Sequence, residues 1–197
     1  MPPVFFSNLT DRIVLVCASL LWFIPELILA HQRRPLPGAR VQDRHSGTAV
    51  MAGIWLGMVC CWAAAITISQ FAIRIDRSYL FAIGIGLMLA GITLRWYSIR
   101  ILGRFFTVVV AVQERHTIVE TGPYRLLRHP SYSGSLLTIL GYALVFTNWL
   151  SLILAVLFPL LAYWYRMTVE EQALVGALGQ DYRAYMKRTK RIIPFVI

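Results

Sequence analysis

Charge is scarce in this chain, and acidic charge most of all. Of 197 residues only 14% are charged, with 9 Asp and Glu against 19 Lys and Arg. A water-soluble domain keeps about a quarter of its residues charged. The deficit, with a 58% share of apolar residues, excludes an ordinary soluble domain. Cysteine is nearly absent as well. Cys17, Cys60 and Cys61 all lie inside apolar blocks; the adjacent pair has neither metal-site spacing nor the makings of a disulfide framework, so all three read as packing or lipid-facing residues. His116 and His129 are too few for a zinc centre, and no metal is expected. No Gly-x-Ser-x-Gly elbow is present to serve a nucleophilic triad. The formal charge of +10 suits nucleic acid in principle. Its basic residues, however, cluster between apolar blocks, and no zinc-finger, basic-helix or aromatic RNA-binding pattern accompanies them, so nucleic acid is not an expected partner.

What is present is a series of long apolar blocks, each close to the roughly 20 residues that a helix needs to cross about 30 Å of hydrocarbon. The first, residues 13–30, is too long for a signal-peptide core and has no small-residue cleavage site after it, so it reads as a retained span. It carries Pro25 and Glu26 near its end. An acid inside a span is a functional candidate by default, although here it is close enough to the interface to reach water or to pair with Arg33 or Arg34. Residues 31–47 form a basic linker, with Arg33, Arg34, Arg40 and Arg44 against Asp43 alone; Pro35, Pro37 and Gly38 exclude a continuous helix. The second block, 49–68, is uncharged, and its Gly53, Gly57 and Ala63 to Ala65 allow close helix packing.

After a turn with Arg74, Asp76 and Arg77 comes the third block, 79–94, ending in Arg95, Trp96, Tyr97 and Arg100, residue types that snorkel at an interface. Its Gly84, Gly86 and Gly91 follow no strand, so they read as helix-packing positions and not as a dinucleotide loop. Residues 101–131 are mixed. Blocks 132–146 and 149–165, joined at Asn148, predict a tight antiparallel hairpin whose return arm Pro159 kinks. Residues 170–188 are amphipathic, with Leu174, Ala177, Leu178, Tyr182 and Tyr185 at helical spacing. The basic tail of Lys187, Arg188, Lys190 and Arg191 favours an anionic membrane surface.

The expected fold is therefore all-α: a polytopic membrane protein of about five transmembrane helices, with a C-terminal helical hairpin (132–165) and a cytosolic amphipathic C-terminal helix. It divides into a three-span region, 1–101, and a second region, 102–197. Five spans collect 16 of the 19 basic residues on one face, which orients the N-terminus outside and the C-terminus in the cytosol.

Two polar clusters stand out against this background. One is the run 122–134, Gly-Pro-Tyr-Arg-Leu-Leu-Arg-His-Pro-Ser-Tyr-Ser-Gly; the other holds Arg166, Glu170 and Glu171. The hairpin returns its ends to one membrane level, so Tyr124, Arg128, His129, Ser131 and Tyr132 can meet Arg166 and Glu170 at the cytosolic boundary. Taken alone, Arg166 and Glu170 read equally as an ordinary i,i+4 ion pair, and His129-Pro130 as a cap and helix start.

These residues carry a resemblance. Leu102-Gly103-Arg104-Phe105-Phe106, His116-Thr117-Ile118-Val119, the Gly-Pro-Tyr-Arg-Leu-Leu-Arg-His-Pro-Ser-Tyr run, Arg166 with Glu170-Glu171, and Gly179-Gln180-Asp181-Tyr182-Arg183-Ala184-Tyr185 together resemble the isoprenylcysteine carboxyl methyltransferase family over roughly the last hundred residues. The resemblance implies an integral membrane enzyme that moves a methyl group from S-adenosylmethionine to the carboxylate of a lipophilic acceptor, such as a prenylated C-terminal cysteine, leaving S-adenosylhomocysteine. It implies that His116, Thr117, Ile118, Val119, Tyr124, His129, Pro130, Ser131, Tyr132 and Glu170 surround the cofactor, that Arg166 binds the acceptor, and that Arg166 and Glu170 are the catalytic pair. It makes 102–197 the catalytic region. A polar cofactor contact of the family falls near Ala111 here, which cannot supply it.

The chemistry is consistent with these residues. Methyl transfer from a sulfonium is an in-line displacement, and a carboxylate is already ionised at neutral pH, so positioning outweighs proton abstraction. The acceptor and membrane lipids are the expected partners. The membrane is the endoplasmic reticulum in a eukaryote and the cytoplasmic membrane in a prokaryote. Two alternatives stand beside this reading: a phospholipid amine methyltransferase acting on phosphatidylethanolamine-type lipids, and a non-enzymatic scaffold or transporter.

Overall fold

In the computed structural model of the chain, residues 8–32, 38–113 and 116–193 are described, with backbone alone for 30–32. Six α-helices account for most of them: α1 (Leu9–Gln32), α2 (Ser46–Thr67), α3 (Arg77–Leu102), α4 (Pro130–Leu144), α5 (Trp149–Leu178) and α6 (Gln180–Arg188). Helices α1, α2, α3 and α5 are each long and apolar enough to cross a membrane. Large apolar side chains such as Leu9, Trp55, Tyr79 and Leu161 stay exposed on their outer faces, as expected of lipid-facing surface.

Glycine lets the helices touch at backbone distance. A Cβ on Gly91 of α3 would lie 2.5 Å from the Gly134 carbonyl of α4, and one on Gly84 would lie 2.7 Å from that of Gly141. The axes therefore close to a separation that any larger side chain would prevent. Gly86 faces open space, so the packing expected of all three glycines holds for two. Helix α2 lies against α5 in the same way. A Cβ on Gly57 would meet the Ala155 carbonyl at 3.0 Å, the group that Pro159, four residues on and lacking an N–H, leaves without its helical donor.

Two ends of the bundle are tied by turns. At the far face the Asn148 side chain donates to Ile68 O at 2.8 Å, and Ile73 N–H donates to Thr147 O at 2.8 Å, so the α4–α5 turn abuts the α2–α3 turn. Asn148 also caps α5, accepting from Leu150 N–H and Ser151 N–H. At the opposite face, β1 (Arg40–Val41) pairs antiparallel with β2 (Ala111–Val112), Arg40 facing Val112. Helix α4, with 15 residues, rises only about 22 Å, short of a full span, yet it connects the same two faces as its neighbours.

Two expectations need correction. Arg33 and Arg34, the partners expected for Glu26, lie outside the described residues; among those described, both Glu26 carboxylate oxygens accept from Arg95 of α3, Oε2 at 2.6 Å from Nη2. Arg95 therefore does not snorkel: its side chain is 12% exposed, because a cation inside a bundle is better compensated by an acid beside it than left to reach for water. Finally, 170–188 is not one amphipathic helix. Helix α5 continues to Leu178, and Gly179, at φ 58°, breaks the chain before α6, since only glycine accepts that conformation cheaply.

Candidate active site

The segment between α3 and α4 is held from below by the end of the chain. Arg128 N–H donates to Lys190 O at 2.7 Å, His129 N–H to Arg191 O at 3.0 Å, and Lys190 N–H to Leu126 O at 2.9 Å. The Tyr185 hydroxyl of α6 donates to Tyr124 O at 2.7 Å. His129 is the N-cap of α4, and Pro130 opens the helix, where its missing N–H costs nothing.

The adjacent acids Glu170 and Glu171 divide their work because neighbours on a helix point about 100° apart. Glu171 is 3% exposed and gathers Arg128 Nε at 2.7 Å, Arg191 Nη2 at 2.7 Å and His129 Nε2 at 3.2 Å. A carboxylate only accepts, so Nε2 is the donor in that contact, and the other ring nitrogen, Nδ1, lies 3.7 Å from Glu170 Oε2. Glu170 points the other way, into a cleft, with 28% of its side chain exposed and Oε2 accepting from the Tyr132 hydroxyl at 2.7 Å. The Tyr132 ring lies between His129, stacked at 5.3 Å, and Tyr163 at 4.9 Å.

Arg166, 6% exposed, sits one turn before Glu170 but makes no direct ion pair with it. Its Nε donates to the same Tyr132 oxygen at 2.8 Å and its Nη2 to Val108 O at 2.6 Å, while Nη1 reaches Asp43 Oδ1 at 3.3 Å and Ser46 Oγ at 3.5 Å. Three elements thus converge on one guanidinium. Although burial raises its pKa, hydrogen bonds from Val110 and Gly47 N–H and from Ser46, with the Arg166 charge, hold the Asp43 carboxyl below the ordinary carboxylate value.

The cleft beside these groups is lined by His116, Thr117, Ile118, Val119, Tyr124, His129, Ser131, Tyr132, Arg166 and Glu170, with Phe105, Ala173, Tyr182 and Tyr185 among its other walls. Of the residues expected around a cofactor, only Pro130 does not line it; it is buried in the first turn of α4. His116 tilts over Phe105 at 4.5 Å, and its Nδ1 has no partner among the described residues. Burial lowers its pKa, Glu170 opposes that, and Arg104 adds to it. Burial also raises the Tyr124 phenol.

Sequence reasoning missed Asp43. Its only signal was a lone acid three residues before Ser46 in a basic loop, a spacing that suits a helix start. Gln113 is a second omission. It lies two residues past Ala111, is 5% exposed, and has its Nε2 unpartnered among the described residues.

The family model described as phospholipid methyltransferase matches residues 79–181, which is more than half of the chain. The chain belongs to that family. Among curated relatives, protein-S-isoprenylcysteine O-methyltransferase B of Arabidopsis thaliana is 32% identical over 118 residues, covering 57% of this chain and 58% of the relative. The protein-S-isoprenylcysteine O-methyltransferase of Saccharomyces cerevisiae is 24% identical over 200 residues, covering 99% of this chain and 83% of the relative. Against the first matched relatives, from rice and Arabidopsis, the chain spans 58% to 61% of their length. Among solved structures, the eukaryotic intramembrane Ras methyltransferase, an isoprenylcysteine carboxyl methyltransferase, superposes with a TM-score of 0.57 at 24% identity, over 79% of this chain and 55% of that one. The fold of this family member is thus that of a membrane-embedded helical methyltransferase, and the matched segment holds both polar clusters and all of the cleft's lining except Tyr182 and Tyr185.

Proposed function

We propose that this protein transfers a methyl group from S-adenosylmethionine to the carboxylate of a lipid-modified acceptor, a prenylated C-terminal cysteine or close analogue, at the cytosolic edge of the membrane. What carries the reading is the 2.7 Å bond between Tyr132 and Glu170, 38 residues apart in sequence, in a cleft that also holds His116, Ser131 and Arg166.

The residues fit the cofactor. Glu170 is the anion available to its ammonium, the His116 Nδ1, without a partner among the described residues, is a polar atom in want of a ligand, and Tyr124 and Phe105 offer aromatic surface to the adenosine end. When bound, the cofactor supplies an electrophilic methyl group. The protein excludes water, orients the acceptor and lends the Arg166 charge to its carboxylate. The lipid tail arrives through the bilayer and the cofactor from water, so a boundary site reaches both.

Phospholipid amine methylation is the second reading, and two observations favour it: the description of the family model, and the Asp43 carboxylate that already offsets Arg166 and so softens its repulsion of an ammonium. Purified protein, labelled cofactor, a farnesyl-cysteine analogue and phosphatidylethanolamine separate the two. Transfer to the farnesyl-cysteine analogue is the expected result, and transfer to the amine alone reverses the assignment. A scaffold or transporter predicts no S-adenosylhomocysteine binding, which calorimetry in detergent measures directly.

A further inference from the structure

Arg166 is occupied before any acceptor arrives. Tyr132, Val108 O and Asp43 take donors from each of its three nitrogens, so a paired carboxylate grip is not simply open. Asp43, moreover, does not depend on Arg166 for its position. Val110 N–H at 2.9 Å, Gly47 N–H at 3.1 Å and the Ser46 hydroxyl at 3.0 Å hold the same carboxylate, and the Arg166 contact is the longest of the four. An anion fastened by three other donors is a fixed counter-charge and not a swinging gate.

Across Tyr132 from Arg166 stands Glu170, bonded to the same phenol. Glu171 is engaged separately by Arg128 and Arg191, a group that keeps one positive charge. Around Tyr132, Arg166 plus and Glu170 minus line the cleft, and Asp43 minus stands behind Arg166. The methyl donor is a sulfonium cation and the acceptor an anion, so one charge balance has to serve opposite demands.

Building on the reading of the cleft as a site for S-adenosylmethionine and a lipid-tailed acid, we propose that Asp43 is a positioning residue that sets this balance. By offsetting Arg166 it leaves the Glu170 charge for the cationic cofactor and limits how strongly Arg166 holds the carboxylate. It acts through Arg166 and touches neither substrate.

The test compares S-adenosylmethionine with S-adenosylhomocysteine, whose sulfur is neutral, by calorimetry on the full chain in detergent. Asp43→Asn is expected to weaken S-adenosylmethionine binding by about threefold to tenfold while S-adenosylhomocysteine binding changes less, and to lower the KM for a farnesyl-cysteine analogue. Asp43→Glu restores the ratio of the two affinities. Arg166→Met, which removes the cation instead, shifts that ratio in the opposite direction and keeps the test open if Asp43→Asn does not fold. Equal weakening of both ligands in Asp43→Asn, or an unmoved ratio in both Asp43→Asn and Arg166→Met, overturns the role of Asp43. Failure of the unaltered protein to bind S-adenosylhomocysteine overturns instead the reading of the site on which that role rests.

Discussion

At the scale of single residues the site divides into anions that are used up and anions that are left over. Glu171 is spent on two arginines and a histidine, whereas Glu170 holds the Tyr132 phenol, with His129 Nδ1 at 3.7 Å, and faces the cleft. Glu170→Gln is expected to weaken cofactor binding about tenfold or more, since a charge-assisted bond to an ammonium becomes a neutral one; isothermal calorimetry reads the loss. His116 brings a pH dependence. Its pKa is lowered from the ordinary 6.5, chiefly by burial, so the ring is neutral at neutral pH and gains its charge only as pH falls below that value. A protonated His116 repels a sulfonium, so affinity for S-adenosylmethionine should decline on acidification below the usual histidine range, while that for S-adenosylhomocysteine declines less. A decline of equal size for both assigns the effect to another group. The sequence alone marked every one of these residues except Asp43 and Gln113. It did so through a motif, because nothing in their spacing says which of two adjacent glutamates faces inward; that depends on the phase of α5 against α4.

Among elements, the α3–α4 contact depends on the absence of side chains. Gly91→Ala brings a methyl group to 2.5 Å from the Gly134 carbonyl and should cost about 1–3 kcal/mol through overpacking, seen as a lower thermal midpoint in detergent. Gly86→Ala, with open space beside it, should be neutral or stabilising by up to about 1 kcal/mol, and serves as the control. Helix α1 joins the bundle by a different device. Glu26 binds Arg95, which also donates to Ser131 O at 3.4 Å at the lip of the cleft. Glu26→Gln strands a buried cation and should cost about 3–5 kcal/mol, whereas replacing both partners with leucine should cost much less; the same thermal measurement distinguishes them. Helix existence was legible from apolar blocks because hydrophobic length is a local property. The Glu26–Arg95 pairing was not, since it joins residues 69 apart and nearer arginines in sequence looked equally suitable.

For the whole molecule, the charge asymmetry predicts the cleft and the basic tail on one side of the membrane and Arg74 on the other. Cysteines introduced one at a time as Arg74→Cys and Lys187→Cys, both exposed positions, in a background without the three native cysteines should react with an impermeant thiol reagent from opposite sides of sealed vesicles. Labelling of both from one side contradicts this topology. Long uncharged runs by themselves determined that the chain is helical and membrane-embedded, because hydrocarbon tolerates no unsatisfied backbone and leaves few other solutions. The order of the Arg-His-Pro and Glu-Glu motifs indicated a methyltransferase. Only the tertiary structure decided that a loop residue from the first quarter of the chain, Asp43, stands beside Arg166, and that Glu26 crosses to Arg95. Such partnerships follow from how the helices close on one another through glycine, and no stretch of sequence read by itself contains that distance.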